Sequence, residues 1–143
     1  MLNLISFVIW IGFIALCIYL YKKHKGFHPE IFELIEGEEI VKQAKGDYWT
    51  SELLGLQQRQ NSGEFAFTNK RVLFKGTFFS SQDKNISISY DEIASVEKAM
   101  VGLFFPVAFV INTKNGEKYK FAIMKRHIYI DLIKSLANQN SMS

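Results

Sequence analysis

The chain has 143 residues, is 48% hydrophobic, carries a formal net charge of +3 and holds one cysteine, Cys17. That length suits one domain of ordinary size. The charge alone is too small to mark a nucleic-acid binder, and a lone cysteine excludes an intrachain disulfide. The charges are also unevenly placed, since none precedes Lys22.

The first segment, residues 2–21, is apolar all round, with Asn3 and Ser6 near one end and Gly12 in the middle. Its length matches a helix crossing a bilayer core of roughly 30 Å at about 1.5 Å per residue. A cleaved signal peptide wants a basic start, a shorter apolar run and small residues before the cut. A lipoprotein cysteine wants a small residue where Leu16 stands. The segment is therefore expected to be an uncleaved anchor. Tyr19, Tyr21, Lys22, Lys23 and Lys25 are the expected membrane-interface residues, and the lysines after the helix predict a cytoplasmic C-terminal body. Asn85 opens an Asn-Ile-Ser glycosylation acceptor, which a cytoplasmic body would leave unused.

Residues 22–38 read as a basic juxtamembrane segment followed by a short helix. Pro29-Glu30 suit its start and Gly37 its end, with Ile31, Phe32, Leu34 and Ile35 as an apolar stripe. Strand signals follow: one strand ends near Lys45-Gly46, and Trp49–Ser62 is ambiguous between strand and helix. The next two strands flank Thr68-Asn69. "NISISY" alternates Ile86, Ile88 and Tyr90 with polar residues, as a half-buried strand does. Asp91-Glu92 is expected as a strand-end pair. Asn115-Gly116 predicts a two-residue hairpin turn. Tyr129, Leu132, Ile133 and Leu136 recur at helical spacing. The body, 39–138, is thus expected to be mainly β, about seven strands with a closing helix, and 139–143 a frayed polar tail.

Four ordered stretches carry a family resemblance: "FELIEGEEIV", "GEFAFTNKRVLF", "ISISYDEIASVEK" and "FVINTKNGEKYKFAIMKRHIYIDLIKSL". Together they resemble the GRAM family and its bacterial pleckstrin-homology-like relatives. The resemblance implies bent antiparallel sheets capped by a C-terminal helix, and membrane-associated roles with lipid or protein ligands. It names no ligand, because this superfold serves many binding tasks.

The candidate ligand residues are cations. In "FTNKRVLFKG" alternation sends Val72 and Phe74 to one face and Arg71, Leu73 and Lys75 to the other, with Lys70 at the turn. These three cations would meet anionic lipid, or else Arg71 is held by a carboxylate such as Asp91 or Glu92. Lys118 and Lys120 share an outer strand face. Lys125 and Arg126 precede the last helix, against its dipole. Leu103, Phe104 and Phe105 are expected to fill the core rather than dip into a membrane, and Phe78 and Phe79 are read with the same preference. The chain contains none of the nucleophile-elbow, zincin, phosphate-loop or dinucleotide motifs, and His24, His28 and His127 form no metal spacing. The expectation is a non-enzymatic, cofactor-free binding module whose partners are membrane lipids, a protein or a second copy, with no nucleic acid. The alternative is a structural or assembly subunit without lipid recognition.

Overall fold

The structure is a computed structural model that describes residues 2–24, 31–51, 58–77, 85–102 and 104–143. Helix α1 spans Leu2–His24. Its apolar side chains, among them Phe7, Trp10, Phe13 and Ile18, are exposed along its length. Among the described residues it is the one helix long and apolar enough to cross a membrane, at about 35 Å for its length.

Seven strands follow: β1 (Ile40–Ser51), β2 (Gln58–Thr68), β3 (Arg71–Gly76), β4 (Asn85–Ser89), β5 (Ile93–Val101), β6 (Phe105–Thr113) and β7 (Lys118–Ala122). They form one antiparallel sheet in the order β4-β3-β2-β1-β7-β6-β5. Strand β1 joins its two halves. It pairs with β2 along its length, and Asp47–Trp49 also pair with Ala122–Lys120 of β7. Helix α2, Arg126–Met142, closes the sheet.

The core follows from alternation. Phe65 and Phe67 of β2, Val72 and Phe74 of β3, Ile88 of β4, Phe109 and Ile111 of β6 and Phe121 of β7 all point inward. Helix α2 adds Ile130, Ile133 and Leu136 to this cluster. The Tyr129 ring stacks on Phe67 at 5.2 Å between centroids, within the range where aromatic pairs attract.

Several local expectations change. Strand β1 does not stop at Lys45-Gly46. Gly46 lies inside it, where a Cβ would stand 2.5 Å from the Ala122 carbonyl oxygen and 2.9 Å from the Phe65 ring. The glycine there allows β7 and the core to close in, and does not end the strand. The Trp49–Ser62 stretch is strand wherever it is described, and 52–57 lie outside the described residues. The β6–β7 connection is the four residues 114–117, with Thr113 N–H bonded to Glu117 O and Gly116 N–H to Thr113 O. Gly116 takes φ +91° there, a conformation glycine adopts without a Cβ clash. Tyr90–Glu92 form a 3-10 turn, so Asp91 and Glu92 are not a strand-end pair. Helix α2 continues through the expected tail, and Asn140 Nδ2 donates to Asn69 O at 3.0 Å and Leu136 O at 2.8 Å.

Two further expectations change. Of the expected short helix, 29–30 lie outside the described residues and Ile31 is in 3-10 conformation, while residues 32–39 contain no helix; they run as a strap whose carbonyl oxygens accept from the sheet, as described below. Phe104 and Phe105 are not core residues, being 81% and 66% exposed. Leu103, Phe78 and Phe79 lie outside the described residues.

The close approach at Gly46 generates a test. Gly46→Ala is expected to destabilise the protein by about 1–3 kcal/mol, the range for overpacking a filled interior. The midpoint of urea unfolding in detergent measures it. Gly12→Ala in α1, where a Cβ meets nothing within 4 Å, is expected to leave the midpoint in place.

Candidate functional site

The stretch from Thr68 to Lys75 is a docking site for the strap. The β2–β3 turn is centred on Asn69-Lys70, one residue beyond the expected Thr68-Asn69, with Phe67 paired to Val72. Thr68 closes it from the side. Its Oγ1 accepts the backbone N–H of Lys70 at 3.1 Å and of Arg71 at 2.9 Å. It donates to Glu38 Oε1 at 2.7 Å.

Glu38 is the centre of the site. Its side chain is fully buried, while that of Arg71 is 21% exposed. The Arg71 guanidinium grips the carboxylate with two bonds, Nε to Oε1 at 2.9 Å and Nη2 to Oε2 at 3.0 Å. Ile35 N–H adds a further donor to Oε2 at 2.9 Å. Bidentate pairing of this kind is the strong form of the arginine–carboxylate contact. Burial by itself raises the Glu38 pKa. The bonds from Arg71, Ile35 and Thr68, with the nearby positive charge, outweigh burial and bring it to about 2. Arg71 is raised above its ordinary value by the Glu38 bond.

The other cations of the stretch face the same strap. Arg71 Nη2 also donates to Glu33 O at 2.9 Å, and Nη1 to Ser87 Oγ of β4 at 3.1 Å. Lys70 Nζ donates to Glu36 O at 2.7 Å and Lys75 Nζ to Ile31 O at 3.1 Å. Asn69 bonds the backbone of Gly37 and Glu39. These bonds explain the missing helix, because carbonyls that would accept from a helical turn accept instead from side chains of β2–β3. Gly37, at φ +71°, makes the bend. Between strap and sheet lies an open cleft of about 450 Å³, with Ile31, Leu34, Leu73 and Ile86 as apolar walls and Arg71 and Lys75 as its cations.

The remaining candidate cations lie elsewhere. Lys118 is exposed and Lys120 half-buried on β7, opposite Asn112 and Val110 of β6, while Tyr119 and Phe121 pack inward. Arg126 is not an unexplained cation at a helix start. Its guanidinium donates to the carbonyls of Ala99 and Ala108, the latter at 2.9 Å. Lys125 is exposed beside it, with φ 58°. Tyr19, Tyr21 and Lys22 are exposed on α1, Lys23 lies in that helix, and Lys25 is outside the described residues. The structure therefore brings Lys70, Arg71 and Lys75 together, and holds Lys118–Lys120 and Lys125–Arg126 apart from them. Among the described residues no His, Cys, Asp and Glu group could hold a metal ion.

Sequence reasoning missed Glu38 as the partner of Arg71. The expected partners, Asp91 and Glu92, are nearer in sequence, whereas Glu38 lies 33 residues away. Glu38 stands among Glu33, Glu36 and Glu39, so the local sequence did not single it out.

A family model described as "GRAM domain" matches residues 26–142. No curated protein matches the chain in sequence. Among solved structures, the chain is similar to the C-terminal domain of an unknown protein from Leishmania infantum, at TM-score 0.56 and 20% identity, covering 71% of this chain and 85% of that one. It is similar to the Vps36 N-terminal PH domain at TM-score 0.56 and 16% identity, covering 78% and 87%. It also resembles the linker-DH/PH domains of p115-RhoGEF, at TM-score 0.55 and 11% identity, covering 73% of this chain and 31% of that one. At such identities the likeness is one of fold.

The Glu38 carboxylate sets a pH window. Its pKa is about 2 in the folded chain against an ordinary 4.5, so its contribution is full above about pH 4.5 and lost as pH falls toward 2. A shift of this size is worth roughly 3 kcal/mol. Glu38→Gln is expected to cost about 2–4 kcal/mol at neutral pH, since it strands part of a buried pair. It is also expected to flatten the acid limb of the stability curve between pH 4.5 and 2. Urea midpoints measured across that range for both proteins check the two effects.

Proposed function

We propose that this chain, which belongs to the GRAM domain family, is a membrane-anchored, non-catalytic binding module that presents its sheet domain to the lipid surface. The observation that carries this reading is α1. Twenty-three residues, Leu2–His24, hold an exposed apolar surface that the described domain does not cover, immediately before the residues matched by the family model. Water is a poor solvent for such a helix and a bilayer core is a good one. Tyr19 and Tyr21 stand where the interface would be, and the lysines that follow favour a cytoplasmic domain.

The domain then works at high effective concentration near lipid, so individually weak contacts count. Spare donors separate the candidate cations in this reading. Arg71 uses four N–H donors on Glu38, Glu33 and Ser87, which leaves one of its five. It acts in this reading by holding the strap. Lys70 and Lys75 each give one bond to a strap carbonyl, and an ammonium has three donors. Each retains capacity for a phosphate oxygen at the rim of the cleft. Lys118, Lys120 and Lys125 add exposed or half-exposed charge. Each such cation near an anionic leaflet contributes about 1 kcal/mol.

The full chain carrying a C-terminal epitope is expected to resist extraction by alkaline carbonate. In intact cells the epitope is expected to be protected from added protease and cleaved only after permeabilisation. Release by carbonate, a mature chain beginning after Tyr21, or cleavage in intact cells overturns the anchor or its orientation.

A further inference from the structure

We infer that the end of the sheet formed by the β5–β6 turn and the β7–α2 connection inserts into an anionic lipid surface; the inference rests on the reading of α1 as a membrane anchor. Pairing of Val101 with Phe105 closes the turn, so Phe104 stands at its tip, 81% exposed. Phe105 and Met100, at the base of the turn, are 66% and 55% exposed. The connection after β7 is pinned to this hairpin. Ile123 N–H donates to Val107 O at 3.0 Å, and Arg126 reaches the carbonyls of Ala99 and Ala108. Met124, 78% exposed, is thereby held beside the same end. Four large apolar side chains thus stand in water at one end of the domain. Contiguous exposure of this kind marks an interaction surface.

Charge selects the occupant. Residues 98–102, 104–108 and 122–128, which lie at this end, contain Lys98, Lys125, Arg126 and His127 and no carboxylate; the acidic residues next to them are Glu97 on β5 and Asp47, opposite Ala122 on β1. An apolar tip flanked by cations complements a surface with anionic headgroups over an apolar interior. A second copy of the same end is disfavoured, because its approach would bring like charges together. The tether keeps the domain near the bilayer. Residues 25–30 separate α1 from the strap, and the steps from His24 to Ile31 span at most about 25 Å. This end differs from the strap cleft in both place and chemistry, being an apolar projection instead of a cationic groove.

The test uses the full chain in vesicles, with two positions labelled in turn by an environment-sensitive fluorophore. The native Cys17, the chain's one cysteine and exposed on α1, reports on the anchor. Phe104→Cys in a Cys17→Ser background reports on the tip. The quencher is a nitroxide on the lipid acyl chain, and the vesicles are phosphatidylcholine with or without phosphatidylserine. The expected result is quenching at Cys17 in both vesicles. At position 104, quenching and a blue shift are expected in phosphatidylserine vesicles, both weakened by Lys98→Glu with Lys125→Glu. Quenching at Cys17 with none at position 104 in either vesicle overturns the insertion and leaves the anchor standing. No quenching at either position overturns the anchor reading and the insertion with it. A blue shift at position 104 that grows with protein density without quenching also overturns the insertion, and assigns this end to contact between copies.

Discussion

The structure depends on one carboxylate. Glu38 is buried with four donors on its two oxygens: two from Arg71, one from Ile35 N–H and one from Thr68. A buried charge left incomplete in this way would be costly, and a saturated one fixes a single arrangement of the groups around it. Every donor belongs to a segment that must meet another. Ile35 is in the strap, Thr68 ends β2, and Arg71 begins β3. The 3-10 turn joins from the far side, with Tyr90 Oη donating to Thr68 O at 2.9 Å. The end of α2 joins through Asn140 and Asn69. One β-turn therefore gathers the strap, two strands, the 3-10 turn and the closing helix.

This arrangement has a mechanical consequence. The chain leaves α1 and next appears in the described residues at Ile31, whose carbonyl is bonded to Lys75 near the end of β3. It then runs along β3 to the clasp at Glu38. A load on α1 reaches the sheet first through Lys75, Lys70 and Arg71, before it reaches β1. Three cations on one hairpin are well suited to that task. A lysine or arginine side chain spans the gap between strap and strand and donates to backbone oxygens that would otherwise be lost to a helix. The same segment covers Leu73, which is 6% exposed although it points away from the core strands' inner face.

Much of this was legible in the sequence, and the failures share a cause. Period-two alternation placed Val72, Phe74, Ile88 and Phe121 inward because one face of each strand is buried, and that pattern is local. The α2 stripe was legible for the same reason, with a period near 3.6. The strap was misread because Pro29-Glu30 and Gly37 are genuine local helix signals, and tertiary bonds from residues more than 30 positions away outbid them. Gly46 reads as a strand end by composition, whereas its role is a close approach of Ala122 and Phe65. Phe104 was assigned to the core because aromatic residues usually are; only the closed turn shows that nothing covers it.

The cations show why a basic run is a poor guide to a basic surface. Lys70, Arg71 and Lys75 stand within six residues, and Arg126 follows Lys125 directly, so the sequence presents two patches. In the fold, both arginines turn their guanidinium groups to protein oxygens: Arg71 to Glu38 and Glu33, Arg126 to Ala99 and Ala108. The lysines at the same places keep unused donors. That division follows from chemistry, because a planar fork satisfies several fixed acceptors at once, while an ammonium on a flexible stem meets acceptors singly. Arg71 and Arg126 are structural clasps, and the unused donors in these two stretches belong to the lysines. A ligand that depends on bidentate arginine recognition would have to break a clasp before it could bind. A diffuse anionic surface would make no such demand, because ammonium groups meet acceptors singly.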